Sequence, residues 1–126
     1  MRFFSLLAVL CLALVPQIGA QQNAQNPVPS TPKSIADGSS VFNRSCASCH
    51  GRTGAGDGPA GKQLKPPPSN LVDSEWTHGT SDGEIFAVIR NGVPKTAMKG
   101  FASKMTEPEI WNVINYIRSL SPQPAK

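Results

Sequence analysis

Cys46-Ala47-Ser48-Cys49-His50 brings two thiols and one imidazole together within five residues. On a helical turn, Cys46 and Cys49 point to the same side, and His50 joins them there. C-x-x-C-H is the pattern of covalent haem attachment, in which two thioether bonds hold the porphyrin edge and the imidazole reaches the iron. Similar short motifs occur in zinc proteins and in dithiol enzymes, so the surrounding sequence has to distinguish these classes.

The first twenty residues have the order of a secretory signal peptide. Arg2 supplies an early positive charge, residues 3–15 form an apolar run, and Gly19-Ala20 supplies small residues for cleavage. The apolar run is short for a membrane span, which needs roughly 20 apolar residues. We therefore expect residues 1–20 to be removed on export, with Cys11 among them, and we expect a periplasmic protein without a membrane span in the mature chain.

Only two of the three cysteines then remain, Cys46 and Cys49. Zinc needs four ligands, and His78 is the only histidine besides His50, so a zinc site is poorly supported. A thioredoxin-like redox motif requires a βαβ context, and no clear strand pattern precedes Cys46. A disulfide between the two cysteines is the plain alternative in an oxidising compartment.

The charge of the chain argues against a nucleic-acid partner. Without Arg2, eleven basic residues stand against eight acidic ones, and the lysines are scattered rather than gathered on a basic helix with aromatic partners. This small excess is compatible with docking on an acidic protein surface. The lysines expected in loops near the haem are Lys62, Lys65, Lys95, Lys99 and Lys104.

Composition and hydrophobic periodicity divide the rest of the chain. Residues 21–34 are rich in proline, glutamine and asparagine, which predicts a disordered tether. No internal repeat is present, so we expect one folded unit over 35–120 and a flexible tail at 121–126. A first helix is predicted from about Ala36 to Ala47, and it ends in the haem motif.

Two further helices begin at capping boxes. Ser81 and Glu84 start the second helix, which ends at Asn91-Gly92. Thr106 and Glu109 start the third, a long C-terminal helix with apolar residues at helical spacing. Between the first and second helices lies a stretch rich in glycine and proline over 51–79, and a loop this long inside a small domain is unusual. A haem resolves the objection, because a large apolar plate replaces much of the missing core.

Taken in order, the segments of 38–120 resemble the class I c-type cytochromes, small monohaem electron carriers. The resemblance rests on Gly38-Ser-Ser-Val-Phe42, Cys46-Ala-Ser-Cys-His50-Gly51, Gly54-Ala-Gly-Asp-Gly-Pro-Ala60, Gly83-Glu-Ile85, Ile89-Arg-Asn-Gly92, Ala97-Met-Lys-Gly-Phe101 and Val113-Ile-Asn-Tyr-Ile-Arg-Ser-Leu120. It implies an all-α class I cytochrome c fold, with three main helices and long loops wrapped around one covalent haem c. It also implies that Gly38 and Phe42 pack against the C-terminal helix.

The resemblance implies a set of residues around the haem. Cys46 and Cys49 attach it, His50 is the proximal iron ligand, and Met98 supplies the distal sulfur. Met105 is the competitor for the distal role, but its place just before the Thr106 cap suits a hydrophobic staple against Ile110. A ligating histidine usually donates its second ring N–H to an acceptor. The family pattern assigns that acceptor to the carbonyl of Pro59, with Pro66, Pro67 and Pro68 as alternatives.

The expected activity is outer-sphere transfer of one electron rather than catalysis. A thioether ligand favours reduced iron, and six-coordinate iron leaves no open position for a substrate. Two alternatives remain open: a dedicated cytochrome subunit of a periplasmic dehydrogenase or respiratory complex, and a haem-based ligand sensor or peroxidase-like enzyme. The chain departs from many relatives in having Lys99 rather than proline after Met98, which predicts a less rigid ligand loop. Redox proteins are the expected partners of a monomer or complex subunit.

Overall fold

A computed structural model describes residues 24–73 and 75–120 of the chain. The predictions for 1–20 and 121–126 lie outside these residues. Four helices are present among them: α1 Pro32–Ser45, α2 Ala47–His50, α3 Asp82–Asn91 and α4 Glu107–Leu120. The described part of the chain contains no strand, only an isolated antiparallel bridge between Gly92 and Lys99. None of the described helices combines the length and apolarity that a bilayer-spanning helix needs.

Helix α1 begins at Pro32, four residues before the predicted start at Ala36. Thr31 is its N-cap: the Ser34 N–H donates to Thr31 Oγ1 at 3.1 Å, and the Thr31 N–H donates to Ser34 Oγ at 2.9 Å. Pro32 occupies the first turn, where its missing N–H removes no helical hydrogen bond. The helix stops at Ser45, and the chain restarts as α2 after Cys46, so the haem motif is its own short turn rather than the end of α1.

The predicted disordered tether, 21–34, also differs from the structure where it is described. Asn26 Nδ2 donates to the Trp111 carbonyl at 3.0 Å and to Asn115 Oδ1 at 2.9 Å. Val28 packs on the core, and its carbonyl accepts from Asn115 Nδ2 at 3.1 Å. Polar, proline-rich composition predicted disorder, but these side-chain hydrogen bonds hold the segment against α4.

Helices α1 and α4 pack closely because of one glycine. A Cβ at Gly38 would overlap the backbone carbonyl of Asn112 on α4. Four residues further along α1, the Phe42 ring lies 5.2 Å from the Tyr116 ring, and Phe42 and Val113 are completely buried. The crossing of these two helices therefore forms the central core, as the resemblance predicted for Gly38 and Phe42.

Helix α3 begins at the predicted capping box and packs on α4. The Glu84 N–H donates to Ser81 Oγ at 3.3 Å, while Glu84 Oε2 accepts from the Ser81 N–H at 2.9 Å. The Phe86 and Trp111 rings stack with centroids 4.2 Å apart. Arg118 of α4 donates twice to Asp82 Oδ1, at 2.8 and 2.9 Å, which joins the start of α3 to the end of α4.

Helix α4 begins as the sequence predicted. The Thr106 N–H donates to Glu109 Oε2 at 2.8 Å, and Met105, just before the cap, is buried in the same core as Ile110. This is the placement expected of a hydrophobic staple. Between α2 and α3, the described residues form only turns, bends and irregular chain.

Candidate functional site

A mostly apolar cavity of about 360 Å³ lies between α1, α3, α4 and the long loop. Cys46, Cys49, His50 and Met98 are all among the residues that line it. The apolar lining residues include Phe42, Leu64, Leu71, Ile85, Ile89, Phe101, Val113 and Ile117. Such an enclosure suits a large, flat, apolar group that is held by a small number of polar atoms.

His50 is oriented by a backbone carbonyl. Its Nδ1 lies 3.0 Å from the Ser69 carbonyl oxygen. Because a carbonyl only accepts, Nδ1 carries the proton and Nε2 keeps a free lone pair. Burial lowers the pKa of His50, and the hydrogen bond to Ser69 opposes this effect without reversing it. The imidazole is therefore prepared as a neutral metal ligand.

The acceptor for His50 is thus Ser69, and not Pro59 as predicted. Pro59 is exposed and does not line the cavity. The segment around it has a different task. The N–H groups of Gly56, Gly58 and Ala60 donate to the carbonyls of His50, Cys49 and Ser48 at 2.8 to 3.1 Å. This segment satisfies the last carbonyls of α2, which a short helix leaves without partners. The acceptor comes from the residue directly after Pro66, Pro67 and Pro68.

Cys46 and Cys49 are free, half-buried thiols on the cavity wall. Burial, and secondarily the nearby Cys49, raises the pKa of the Cys46 thiol to about 11. Cys46, Cys49 and His50 all line the cavity, and they have the sequence spacing that covalent attachment of a porphyrin requires. Among the described residues, no group of three or more His, Cys, Asp or Glu side chains is gathered as a metal site would need.

Met98 lies in the loop after α3, half-buried against the core. Its N–H donates to Thr96 Oγ1 at 3.1 Å, and its carbonyl accepts from the Val93 N–H at 2.9 Å. Met105, in contrast, does not line the cavity, since it is 9 % exposed within the core beneath α4. Of the two methionines, only Met98 lines the cavity that His50 also lines.

The donor set fits a haem c. Two thiols, a neutral imidazole with a free nitrogen and a thioether surround one apolar enclosure, and these are the atoms that covalent attachment and axial His/Met ligation need. The chemistry of the wall therefore matches the cofactor that the motif predicted.

Sequence reasoning missed two residues of this site, Ser69 and Thr96. Ser69 acts through its backbone carbonyl, which every residue possesses, so no side-chain pattern marks it. Thr96 acts through a hydroxyl two residues before Met98. The wall also contains Trp76, whose indole N–H donates to the Asp73 carbonyl at 2.8 Å and whose ring lies 5.7 Å from the Arg118 guanidinium.

Comparison with known protein families places this site in context. The family model described as "Cytochrome C oxidase, cbb3-type, subunit III" matches residues 33–117. The cbb3-type cytochrome c oxidase subunit FixP of Bradyrhizobium sp. (strain ORS 278) is 40 % identical over 100 residues. That alignment covers 72 % of this chain and 32 % of the relative, so the chain spans about a third of the length of that protein.

Solved structures have the same fold. A chain of the reducing HAO-like protein complex of Kuenenia stuttgartiensis superposes with a TM-score of 0.69 at 25 % identity, over 75 % of this chain and 47 % of that one. Cytochrome cL of Methylophaga aminisulfidivorans superposes with a TM-score of 0.60 at 25 % identity, over 71 % of this chain and 55 % of that one. The predicted fold class, all-α with the class I cytochrome c arrangement, is confirmed.

Proposed function

Since the chain belongs to the family described as cytochrome c oxidase, cbb3-type, subunit III, we propose that it carries single electrons between redox proteins of the periplasm. One haem c is attached through Cys46 and Cys49 and ligated by His50 and Met98. The observation that carries the proposal is one apolar cavity whose lining includes two thiols, a neutral imidazole and a thioether.

The bound haem supplies a reversible Fe(II)/Fe(III) couple. The residues of the chain hold and tune it. The two thioethers prevent its loss, and the Ser69 carbonyl holds the His50 ring in one tautomer. Met98 is a soft ligand that favours the reduced state, and the apolar wall limits access of water, which acts in the same direction.

A complex subunit is the second form of this function. The similar proteins support it, because FixP is an oxidase subunit and the Kuenenia stuttgartiensis protein belongs to a complex. A free carrier elutes from a native periplasmic extract at the mass of one chain, and a subunit elutes with a partner in constant ratio. This elution is the measurement that distinguishes the two forms.

Two exposed lysines next in sequence to residues of the cavity wall support docking of an acidic partner. Lys65 lies between the lining residues Leu64 and Pro66, and Lys95 precedes the lining residue Thr96. Lys65 and Lys95 are both exposed. We expect Lys65→Glu and Lys95→Glu to slow electron transfer at low salt and to reduce its dependence on salt. Lys33→Glu is the control, since Lys33 lies on α1 and pairs with Asp37. Electron-transfer rates at low salt that are equal to the wild-type rate in all three variants would exclude this docking surface.

Ligation is tested with spectra of the oxidised protein. A near-infrared sulfur-to-iron charge-transfer band is expected in the wild type, lost in Met98→Ala and retained in Met105→Ala. Extraction with acidified acetone tests the thioether bonds, because covalently attached haem stays with the denatured chain. The double variant Cys46→Ala/Cys49→Ala should release its haem. A five-coordinate resting iron would contradict the carrier function and favour the ligand sensor or peroxidase-like alternative.

A further inference from the structure

The loop that carries Met98 is closed around one side chain, Thr96. The Thr96 hydroxyl donates to the Val93 carbonyl at 2.8 Å and accepts from the Met98 N–H at 3.1 Å. The Lys99 ammonium donates to the Thr96 carbonyl at 2.9 Å. The Val93 N–H donates to the Met98 carbonyl at 2.9 Å, so both the N–H and the carbonyl of Met98 are hydrogen-bonded inside the loop.

No proline stands beside Met98 in the sequence to restrict its backbone. Ala97 and Lys99 are both exposed, and neither has the ring that limits the backbone of a proline. The loop is anchored at its base instead, where Gly92 has a φ of 76° and a Cβ there would lie 2.7 Å from the Met98 carbonyl oxygen. Between this anchor and the sulfur, Met98 is held by the Val93 N–H, which donates to its carbonyl, and by the hydrogen bonds of the Thr96 hydroxyl.

We propose that Thr96 is a positioning residue for the Met98 thioether, with the Lys99 ammonium as a second, weaker support. The inference rests on the proposed ligation by Met98. The hydroxyl does not touch the iron; it acts on the equilibrium between a closed loop, which presents the sulfur to the cavity, and an open loop, which withdraws it. Lys99 thereby does part of the work that a proline at its position would do.

The equilibrium between the closed and the open loop can be measured through the affinity of an added iron ligand. Imidazole binds the iron only when the Met98 sulfur is displaced, so its apparent affinity is proportional to the open fraction. Thr96→Val removes the hydroxyl at nearly constant shape, which leaves the Met98 N–H without its acceptor. The Val93 carbonyl loses one of its two donors and keeps the N–H of residue 96, which lies 3.3 Å away. Loss of such bonds should raise the open fraction about fivefold to tenfold.

The experiment is an imidazole titration of the oxidised, haem-loaded protein, followed in the near-infrared band. We expect Thr96→Val to bind imidazole about fivefold to tenfold more tightly than the wild type, Lys99→Ala about twofold, and Thr96→Ser as the wild type does. Thr53→Val is the matched control, because Thr53 is exposed and outside the cavity wall. Equal affinity in Thr96→Val and Thr53→Val, or equal tightening in Thr96→Ser and Thr96→Val, would overturn the inference.

A measurement on the wild type needs no variant to fold. The Met98 N–H should exchange with solvent at least about tenfold more slowly than the Ala97 N–H, which has no acceptor among the described residues. Equal exchange would contradict the closed loop. Failure of the proposed function is distinguishable: a Met98→Ala protein with wild-type band and imidazole affinity refutes ligation itself, whatever Thr96→Val does.

Discussion

The His50 side and the Met98 side of the cavity are held by different kinds of structure. His50 ends α2, whose last carbonyls are bound by backbone N–H groups from 56–60, and its ring is held by Ser69. α2 follows directly on α1, which packs on α4 through Gly38. Met98 lies on a single loop after α3, and its local order depends on the Thr96 side chain.

The contrast assigns two roles to the two sides. The position of His50 depends on helix packing and on backbone hydrogen bonds, so it is coupled to the stability of the whole domain. On the proposal above, the position of Met98 depends on a loop that opens while the helices stay packed. We therefore expect mutations in the α1–α4 core to change unfolding and to leave Met98 ligation of the folded protein unchanged. Mutations in the Met98 loop should do the reverse.

The largest expected effect is that of Gly38→Val. A side chain at Gly38 overlaps the Asn112 carbonyl, so α1 and α4 must separate, and we expect a loss of about 3 kcal/mol in the free energy of unfolding. Urea denaturation of the haem-loaded protein measures it. Ala36→Val, an exposed position on the same helix, is the control and should cost less than about 1 kcal/mol. Imidazole affinity should match the wild type in both variants; a parallel change would show that the two sides are not separable.

Asn115→Ala should have the next largest effect. Asn115 is 5 % exposed, and its Nδ2 lies within hydrogen-bonding distance of the Val28 carbonyl, the Pro29 carbonyl and Ser34 Oγ, at 3.1 to 3.3 Å. Truncation removes the donor to the Val28 carbonyl, while the Pro29 carbonyl and Ser34 Oγ keep the hydrogen bond between them. The segment before α1 loses this tie to α4, at a cost of about 2 kcal/mol.

The control for Asn115→Ala is Asn112→Ala, a half-buried asparagine on the same helix without such contacts. Limited proteolysis gives a second readout, because cleavage before α1 should increase in the Asn115 variant alone. Unchanged stability and unchanged cleavage would mean that the segment from 24 to 31 contributes nothing to the domain.

The sequence predicted the starts of α3 and α4 correctly, because both helices begin at a capping box made by side chains. Ser81 with Glu84 and Thr106 with Glu109 satisfy the capping-box pattern, and both helices begin there. The predicted start of α1 lies too far along the chain, because the capping box at Thr31 uses Ser34 rather than a glutamate and lies inside a proline-rich stretch. Composition outweighed the cap in that prediction, whereas contacts with α4 decide the structure.

The parts of the site that sequence could not predict are those made by backbone groups and by loop closure. The C-x-x-C-H motif predicted Cys46, Cys49 and His50, since covalent attachment needs those side chains at that spacing. The acceptor for His50 is a carbonyl, and the path of 51–69 determines which carbonyl arrives there. The prediction of Pro59 as the acceptor was therefore wrong, although the acceptor does lie in the same long loop.

The smallest expected effect concerns Glu84, on the Met98 side. Hydrogen bonds from Ser81, first its backbone N–H and then its hydroxyl, and from the Thr80 N–H lower the pKa of the Glu84 carboxyl against weak desolvation. A lowered pKa in the folded state means that the ionised carboxylate stabilises the fold at neutral pH. This contribution is complete above the pKa of the unfolded chain and disappears as the pH falls through the lower pKa of the folded chain.

Glu84→Gln should therefore cost less than about 1 kcal/mol at pH 7, and the difference from the wild type should shrink on acidification below the ordinary glutamate pKa. Urea denaturation of both proteins at several pH values measures this difference, with the exposed Glu75→Gln as the control. Because α3 leads directly into the Met98 loop, imidazole titration at pH 7 distinguishes two outcomes. Unchanged affinity means that the loop is held by Thr96 independently of the helix start, and a tightening equal to that of Thr96→Val means that α3 and the loop open together.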